Sequence, residues 1–315
     1  PLFAGESNES TLLSVLDRTN TGMGGRLLRK RLLAPSLDPA EIEARLDAVS
    51  EIHAGAILRA ELSKTLSTIL DLERLLAKVS LASAGPRDVL ALARSLQAIP
   101  QLKQQLHTVT STRLRELIER LDEVAEVRDA VLAAIADEPP VNLNDGGTIR
   151  AGYDAALDEL RDISQNSRTY VAEMESRERF RTGITSLKVR FNNVFGYYIE
   201  ISKANLSLAP SDYGRKQTLV NAERFTTPEL KVLEAKILEA EDKMLSIERE
   251  IFERLRLAAS AEATRIKATA AAIAELDVTV SLAETAVSQR YRRPTFSDGE
   301  MKVVAGRHPV IEKLA

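Results

Sequence analysis

Between positions 188 and 224 the chain carries six cations, Lys188, Arg190, Lys203, Arg215, Lys216 and Arg224, against the three carboxylates Glu200, Asp212 and Glu223. That is a local charge of +3 in a 315-residue chain whose formal net charge is −3, so the remainder carries −6. Lysine and arginine at such a density can neutralise phosphates, and from the polar face of a sheet they reach a nucleic-acid backbone without reading its sequence. The competing reading is ordinary solubilising charge. Lys188, Arg190, Lys203, Arg215 and Lys216 are the cationic candidates. Asn192, Asn193, Ser202 and Asn221 are the neutral ones, able to hydrogen-bond phosphate or sugar oxygens. Arg224 adjoins Glu223 and precedes a helix start, so it could brace either instead.

Other chemistries find little support. There is no cysteine, and His53, His107 and His308 are too scattered to form a ligand set, so neither a thiolate nor a histidine metal site is expected. Gly22-x-Gly24-Gly25 departs from the dinucleotide spacing, and no G-x-x-x-x-G-K-[ST] occurs, which leaves no cofactor site to name. Aspartates and glutamates are spread along charged helix faces without a recognisable acid–base pair, and the runs Glu173 to Arg181 and Glu248 to Arg254 read as intrahelical ion pairs. No catalytic residue is expected. No apolar run reaches membrane-spanning length and no secretory leader opens the sequence, so a cytoplasmic compartment is the default. The first methionine is Met23, inside a Gly-rich turn, which reads as a fragment whose native start lies upstream.

The elements that must position the cations follow from periodicity. Leu187, Val189 and Phe191 alternate with Lys188, Arg190 and Asn192, and Tyr197, Ile199 and Ile201 alternate with Tyr198, Glu200 and Ser202, the period-2 signature of half-buried strands. Val194, Phe195 and Gly196 suit the bend between them. Gln217 to Phe225 reads as a third strand. In a chain with only 4% aromatic residues, Phe191, Phe195, Tyr197, Tyr198, Tyr213 and Phe225 gather here, because a sheet of about 40 residues has little area to bury and needs large side chains for its core.

Helices flank this module on both sides. Asp38, Pro39 and Glu41 spell a capped helix start with a capping box, Pro86 and Pro100 mark breaks, and helices extend to about residue 136. Asp137-Glu138-Pro139-Pro140 and Asn144-Asp145-Gly146-Gly147 form an organisational boundary. Beyond it Leu157, Leu160, Val171 and Met174 share a seam, with Ser164 and Ser167 at intervening positions. Downstream Leu230, Leu233, Ile237, Ala240, Met244, Ile247 and Ile251 step by three and four, the coiled-coil period. A helix opening at Thr227-Pro228-Glu229 meets no glycine or proline until Pro294; continuous to near Ala286 it would be about 85 Å long and would have to project. The fold class expected is mainly α: a helical bundle, a long antiparallel coiled-coil arm, and a small antiparallel β module inserted at its tip.

Two runs, Phe191-Asn192-Asn193-Val194-Phe195-Gly196-Tyr197-Tyr198-Ile199-Glu200-Ile201-Ser202 and Gln217-Thr218-Leu219-Val220-Asn221-Ala222-Glu223-Arg224-Phe225-Thr226-Thr227-Pro228-Glu229-Leu230, closely resemble the clamp of the MutS family of bacterial DNA mismatch-repair proteins. Three further stretches match in family order: Thr11 to Asp17 with Gly22-Met23-Gly24, then Asp145-Gly146-Gly147 with Gly152-Tyr153, and finally Gly306-Arg307-His308-Pro309-Val310-Ile311-Glu312. The resemblance spans essentially the whole chain. It implies a helical core or lever in residues 1–150, an outgoing arm helix in 151–185, the clamp in 186–227, a returning lever helix in 228–288 and the start of an ATPase domain in 289–315. It further implies a non-sequence-specific duplex DNA clamp, homodimerisation of the full-length relative, and ATP with magnesium used by that relative outside this stretch. The family's Phe-x-Glu mismatch wedge is absent here. The alternative is a structural coiled-coil arm of a chromosome-maintenance ATPase that does not touch DNA.

Overall fold

Side-chain caps set several helix starts. Thr21 Oγ1 accepts from the Gly24 amide at 2.9 Å, and Asp38, Asp71 and Asp154 each accept from an amide two or three residues on. Each cap satisfies a donor that the first helical turn would otherwise leave without a partner. In the computed structural model, the description covers residues 11–192, 196–297 and 299–314, leaving out the side chains at 163, 165, 167, 168, 313 and 314. Among the described residues the α-helices are α1 (Leu12–Leu16), α2 (Gly22–Leu33), α3 (Pro39–Ala54), α4 (Ala56–Leu66), α5 (Leu72–Ser80), α6 (Pro86–Leu96), α7 (Ile99–Gln105), α8 (Thr112–Arg120), α9 (Ala125–Ala134), α10 (Ala155–Thr182), α11 (Pro228–Ala261), α12 (Ala263–Gln289) and α13 (Pro309–Leu314). Four strands, β1 (Lys188–Asn192), β2 (Gly196–Ser202), β3 (Gly214–Thr218) and β4 (Ala222–Thr226), complete a mainly α fold. None of the described helices is long and apolar enough to cross a membrane.

The chain divides into two compact units, Pro1–Val141 with Glu253–Ala315, and Asn142–Phe252, and the second boundary falls inside α11. In the first unit α12 is the central element, packed against α2, α3, α4, α5 and α8. Its apolar face (Ile266, Ile273, Leu276, Val280) is fully or almost fully buried, but so are Glu275 and Asp277. Asp277 accepts from the Asn20 amide at 2.9 Å, the Thr21 amide at 2.8 Å and Thr21 Oγ1 at 2.7 Å, while Ser281 Oγ receives the Arg18 amide and donates to the Leu16 carbonyl. Burial pushes the Asp277 carboxyl above its ordinary range, against the pull of those donors. Gly24 permits this clasp, since a Cβ there would lie 2.8 Å from Asp277 Cγ. Glu275 joins Arg31 and Arg113 at 3.1 and 2.6 Å. These acids correct the expectation that carboxylates occupy only solvated helix faces; each is matched to donors from distant segments, which no local pattern reveals.

Three helical expectations change. The helix opening at Pro228 is not continuous to Ala286: at Glu262 the backbone takes φ −90° and ψ 17°, leaving the α region for one residue between α11 and α12. Glu41 closes no capping box, because its carboxylate is taken by Arg45 and Arg113 at 2.7 and 2.8 Å. Arg181 and Arg179 do pair along α10 with Glu178 and Glu175. Glu248, however, forms no intrahelical pair among the described residues but accepts from the Thr148 amide at 3.0 Å and binds Arg161 at 3.0 Å. That buried carboxylate ties the loop before α10 to α11. Of the α10 seam, Leu157 and Met174 are buried and Leu160, Ser164 and Val171 half-buried, while the Ser167 side chain lies outside the description.

Candidate nucleic-acid interface

The four strands form one antiparallel sheet in the order β1-β2-β4-β3. The run expected as a third strand is two, because the Leu219 amide donates to the Ala222 carbonyl at 2.9 Å and turns the chain at Val220-Asn221. Pairing Val189 with Ile199 and Ile199 with Phe225 puts these side chains in one row of the inner face. With Ile201 and Tyr213 they bury against Met174 of α10, Leu230 of α11 and the linker residues Ile184 and Leu187. Tyr213 donates to Glu178 at 2.7 Å, and burial, with that carboxylate, pushes its hydroxyl well above the usual tyrosine range. The aromatic residues thus divide. Tyr213 and Phe225 serve the miniature core and Tyr197 packs at its margin, whereas Phe191 is 47% exposed beside Tyr197. Tyr198 points to the opposite face. Phe195, Val194 and the candidate Asn193 lie outside the described residues, and Gly196 enters β2 with φ +66°.

On the outer face Lys188 pairs with Glu200 and Glu200 with Arg224, while Arg190 pairs with Tyr198. Arg224 is committed here: its guanidinium lies 4.2 Å from the Tyr198 ring centre, donates to Gln217 at 2.7 Å and sits 3.6 Å from Glu200. It braces neither Glu223 nor the helix start. Lys188 and Arg190 are exposed and form no ion pair among the described residues. Lys203 is likewise exposed, in the 3-10 turn after β2, and its amide donates to the Asn221 carbonyl at 3.1 Å. Ser202, Lys203 and Asn221 therefore lie together at the end of the sheet where Lys188 begins β1. Asn192 is half-buried at the far end of β1, opposite Gly196.

Arg215 and Lys216 are elsewhere. They belong to β3, the other edge, three strand spacings or about 14 Å from β1. Arg215 occupies the inner-face row with Phe225 and binds Glu223 at 2.8 Å, and a β-bulge between Arg215 and Gln217 turns Lys216 toward Glu234 of α11, 4.0 Å away. The five cations do not share one surface. An alternating pattern would put Lys216 on the outer face with Arg224, and the sequence carries no local signal of the bulge. Among the described residues there is no cluster of acids and histidines that could hold a metal ion.

Comparison with known proteins gives this arrangement its context. Residues 2–283 match the family described as MutS domain III. The chain is 65% identical over 319 residues to a DNA mismatch repair protein MutS from Solibacter usitatus (strain Ellin6076), covering 100% of this chain and 37% of that protein. Proteins of the same name from Pelotomaculum thermopropionicum and Alkaliphilus metalliredigens are 48% and 45% identical, each over 98% of this chain and 36% and 35% of their own length. The chain therefore spans little more than a third of these relatives. With the family match covering most of its length, the chain belongs to the MutS domain III family.

Proposed function

We propose that this chain is the core-and-clamp portion of a bacterial mismatch-repair protein, in which residues 186–227 hold duplex DNA through its backbone without reading sequence. Residues 1–150 serve as the helical core, 151–185 and 228–288 as the arm and lever helices, and 289–315 as the entry to an ATPase domain that completes the protein. DNA binding would reach that domain through the lever, and a homodimer in the bacterial cytoplasm would bring two clamps to one duplex. The observation that carries the reading is the outer face of β1, where Lys188 and Arg190 stand exposed and unpaired among the described residues, with Lys203, Ser202 and Asn221 at the same end of the sheet. Such groups bind phosphates with an affinity that falls with salt and is blind to base identity.

Fluorescence anisotropy with a labelled duplex tests it. Lys188→Glu with Arg190→Glu is expected to weaken binding to every duplex alike and to flatten the log-log salt dependence by about 1.8, or about 0.9 for each phosphate that is no longer neutralised. Matched and mismatched duplexes are expected to bind equally. Salt-insensitive binding, or no effect of the double substitution, would favour a purely structural arm.

A further inference from the structure

We infer that Glu223 and Glu234 occupy, from within the chain, the places that phosphates would take on Arg215 and Lys216, so that the β3 edge engages a duplex only by giving up its own anions. This rests on the duplex-binding reading of the sheet and specifies how that surface is tuned. The two carboxylates are built in. Glu223 is on the inner face of β4, its side chain 7% exposed, with Oε2 2.8 Å from Arg215 Nε. Glu234 arrives from the first turns of α11 and reaches under β2 where Gly196 has no side chain; a Cβ there would lie 2.5 Å from Glu234 Cδ and overlap its carboxylate oxygen. In that position it faces Lys216 Nζ at 4.0 Å, and Nζ also donates to the Tyr197 carbonyl at 3.5 Å. The bulge in β3 makes both contacts possible by turning consecutive cations away from the outer face.

The consequence is electrostatic. A cation neutralised by an internal carboxylate presents no net charge to a phosphate and releases no counterion on binding. Transferring it to DNA strands a carboxylate, in the case of Glu223 a buried one, beside a polyanion. Lys188, Arg190 and Lys203 carry no such charge partner among the described residues, so the sheet has an open edge and a self-neutralised one.

Salt dependence separates the two edges. For the 315-residue chain and a labelled duplex between about 50 and 200 mM salt, three open cations give a log-log slope of about −2.7 and an affinity loss of about 40-fold. Five acting cations would give about −4.5 and about 500-fold. Glu223→Gln with Glu234→Gln is expected to steepen the slope toward the larger value and to tighten binding at the low-salt end. Adding Arg215→Gln and Lys216→Gln to that variant, which removes each ion pair whole, is expected to return the slope to about −2.7, and the wild-type slope stands alone if the buried Gln variants fail to fold. A wild-type slope near −4.5, or one that a folded Glu223→Gln/Glu234→Gln variant leaves unchanged, overturns the inference even where Lys188→Glu/Arg190→Glu weakens binding. Binding indifferent to Lys188→Glu/Arg190→Glu overturns instead the reading of the open edge. Absence of binding by every variant at about 50 mM salt overturns both.

Discussion

Replacing Gly24 by alanine is expected to destabilise the chain by about 3 kcal/mol, although alanine is the better helix former by about 1 kcal/mol. Gly24 is in the first turn of α2, in contact with the Asp277 carboxyl group across the core of the first unit, and an added Cβ would come within 2.8 Å of Asp277 Cγ. Since Asp277 is fully buried on the central helix, its side chain cannot swing into solvent. It must instead pull away from the amides of Asn20 and Thr21 and the Thr21 hydroxyl, which now lie 2.7 to 2.9 Å from its oxygens. Hydrogen bonds to a charged group contribute about 1.5–3 kcal/mol each, so losing two outweighs the gain in helix propensity by about 2–5 kcal/mol. Thr21 Oγ1 also caps α2 through the Gly24 amide, so the damage extends to the helix start. Urea unfolding followed by circular dichroism measures the loss, and a double-mutant cycle with Asp277→Ala isolates its cause. Once Asp277 is removed, Gly24→Ala should cost at least about 1 kcal/mol less, because the clash is gone. A Gly24→Ala chain within about 0.5 kcal/mol of wild type, or strictly additive substitutions, would refute the clasp.

Two further outcomes follow from buried charge. Burial drives the Glu275 carboxyl up, but Arg31 and Arg113 overcompensate and hold it below the ordinary glutamate range. A folded value below the unfolded one, about 4.3, means that its contribution is complete above that pH and is lost as pH falls through the folded value. Acid titration of stability should therefore show a shallower loss below about pH 4 in Glu275→Gln than in wild type; identical acid limbs would exclude the triad as their source. Arg224→Lys keeps the charge but forfeits the flat stacking on Tyr198 and the bond to Gln217, at a cost of about 1 kcal/mol in thermal or urea unfolding. Since Arg224 is spoken for within the sheet, the salt slope of duplex binding should not change in Arg224→Gln, and a flatter slope in that variant would show that it reaches phosphate.

What could be read along the chain and what could not divide by the range of the interaction. Caps, prolines and periodicity act over a few residues, and accordingly Asp38-Pro39, Pro86, Thr227-Pro228, the β1–β2 alternation and the family motifs led to the observed elements. The sign of the charge at the sheet was local too. Its placement was not. Whether a cation between positions 188 and 216 faces solvent or a carboxylate depends on strand order, on one extra residue in β3, and on a glutamate of α11 that enters beneath a glycine 38 positions earlier. The buried acids Glu248, Glu275 and Asp277 were hidden for the same reason, their donors lying 87 to 257 positions away. Counting charge along a segment measures how many phosphates a surface could meet, whereas the fold decides how many of those charges already have an anion. For this sheet the two numbers are five and three, and under the proposed duplex-binding role a salt titration is expected to read the second, because only an unneutralised cation displaces counterions from DNA.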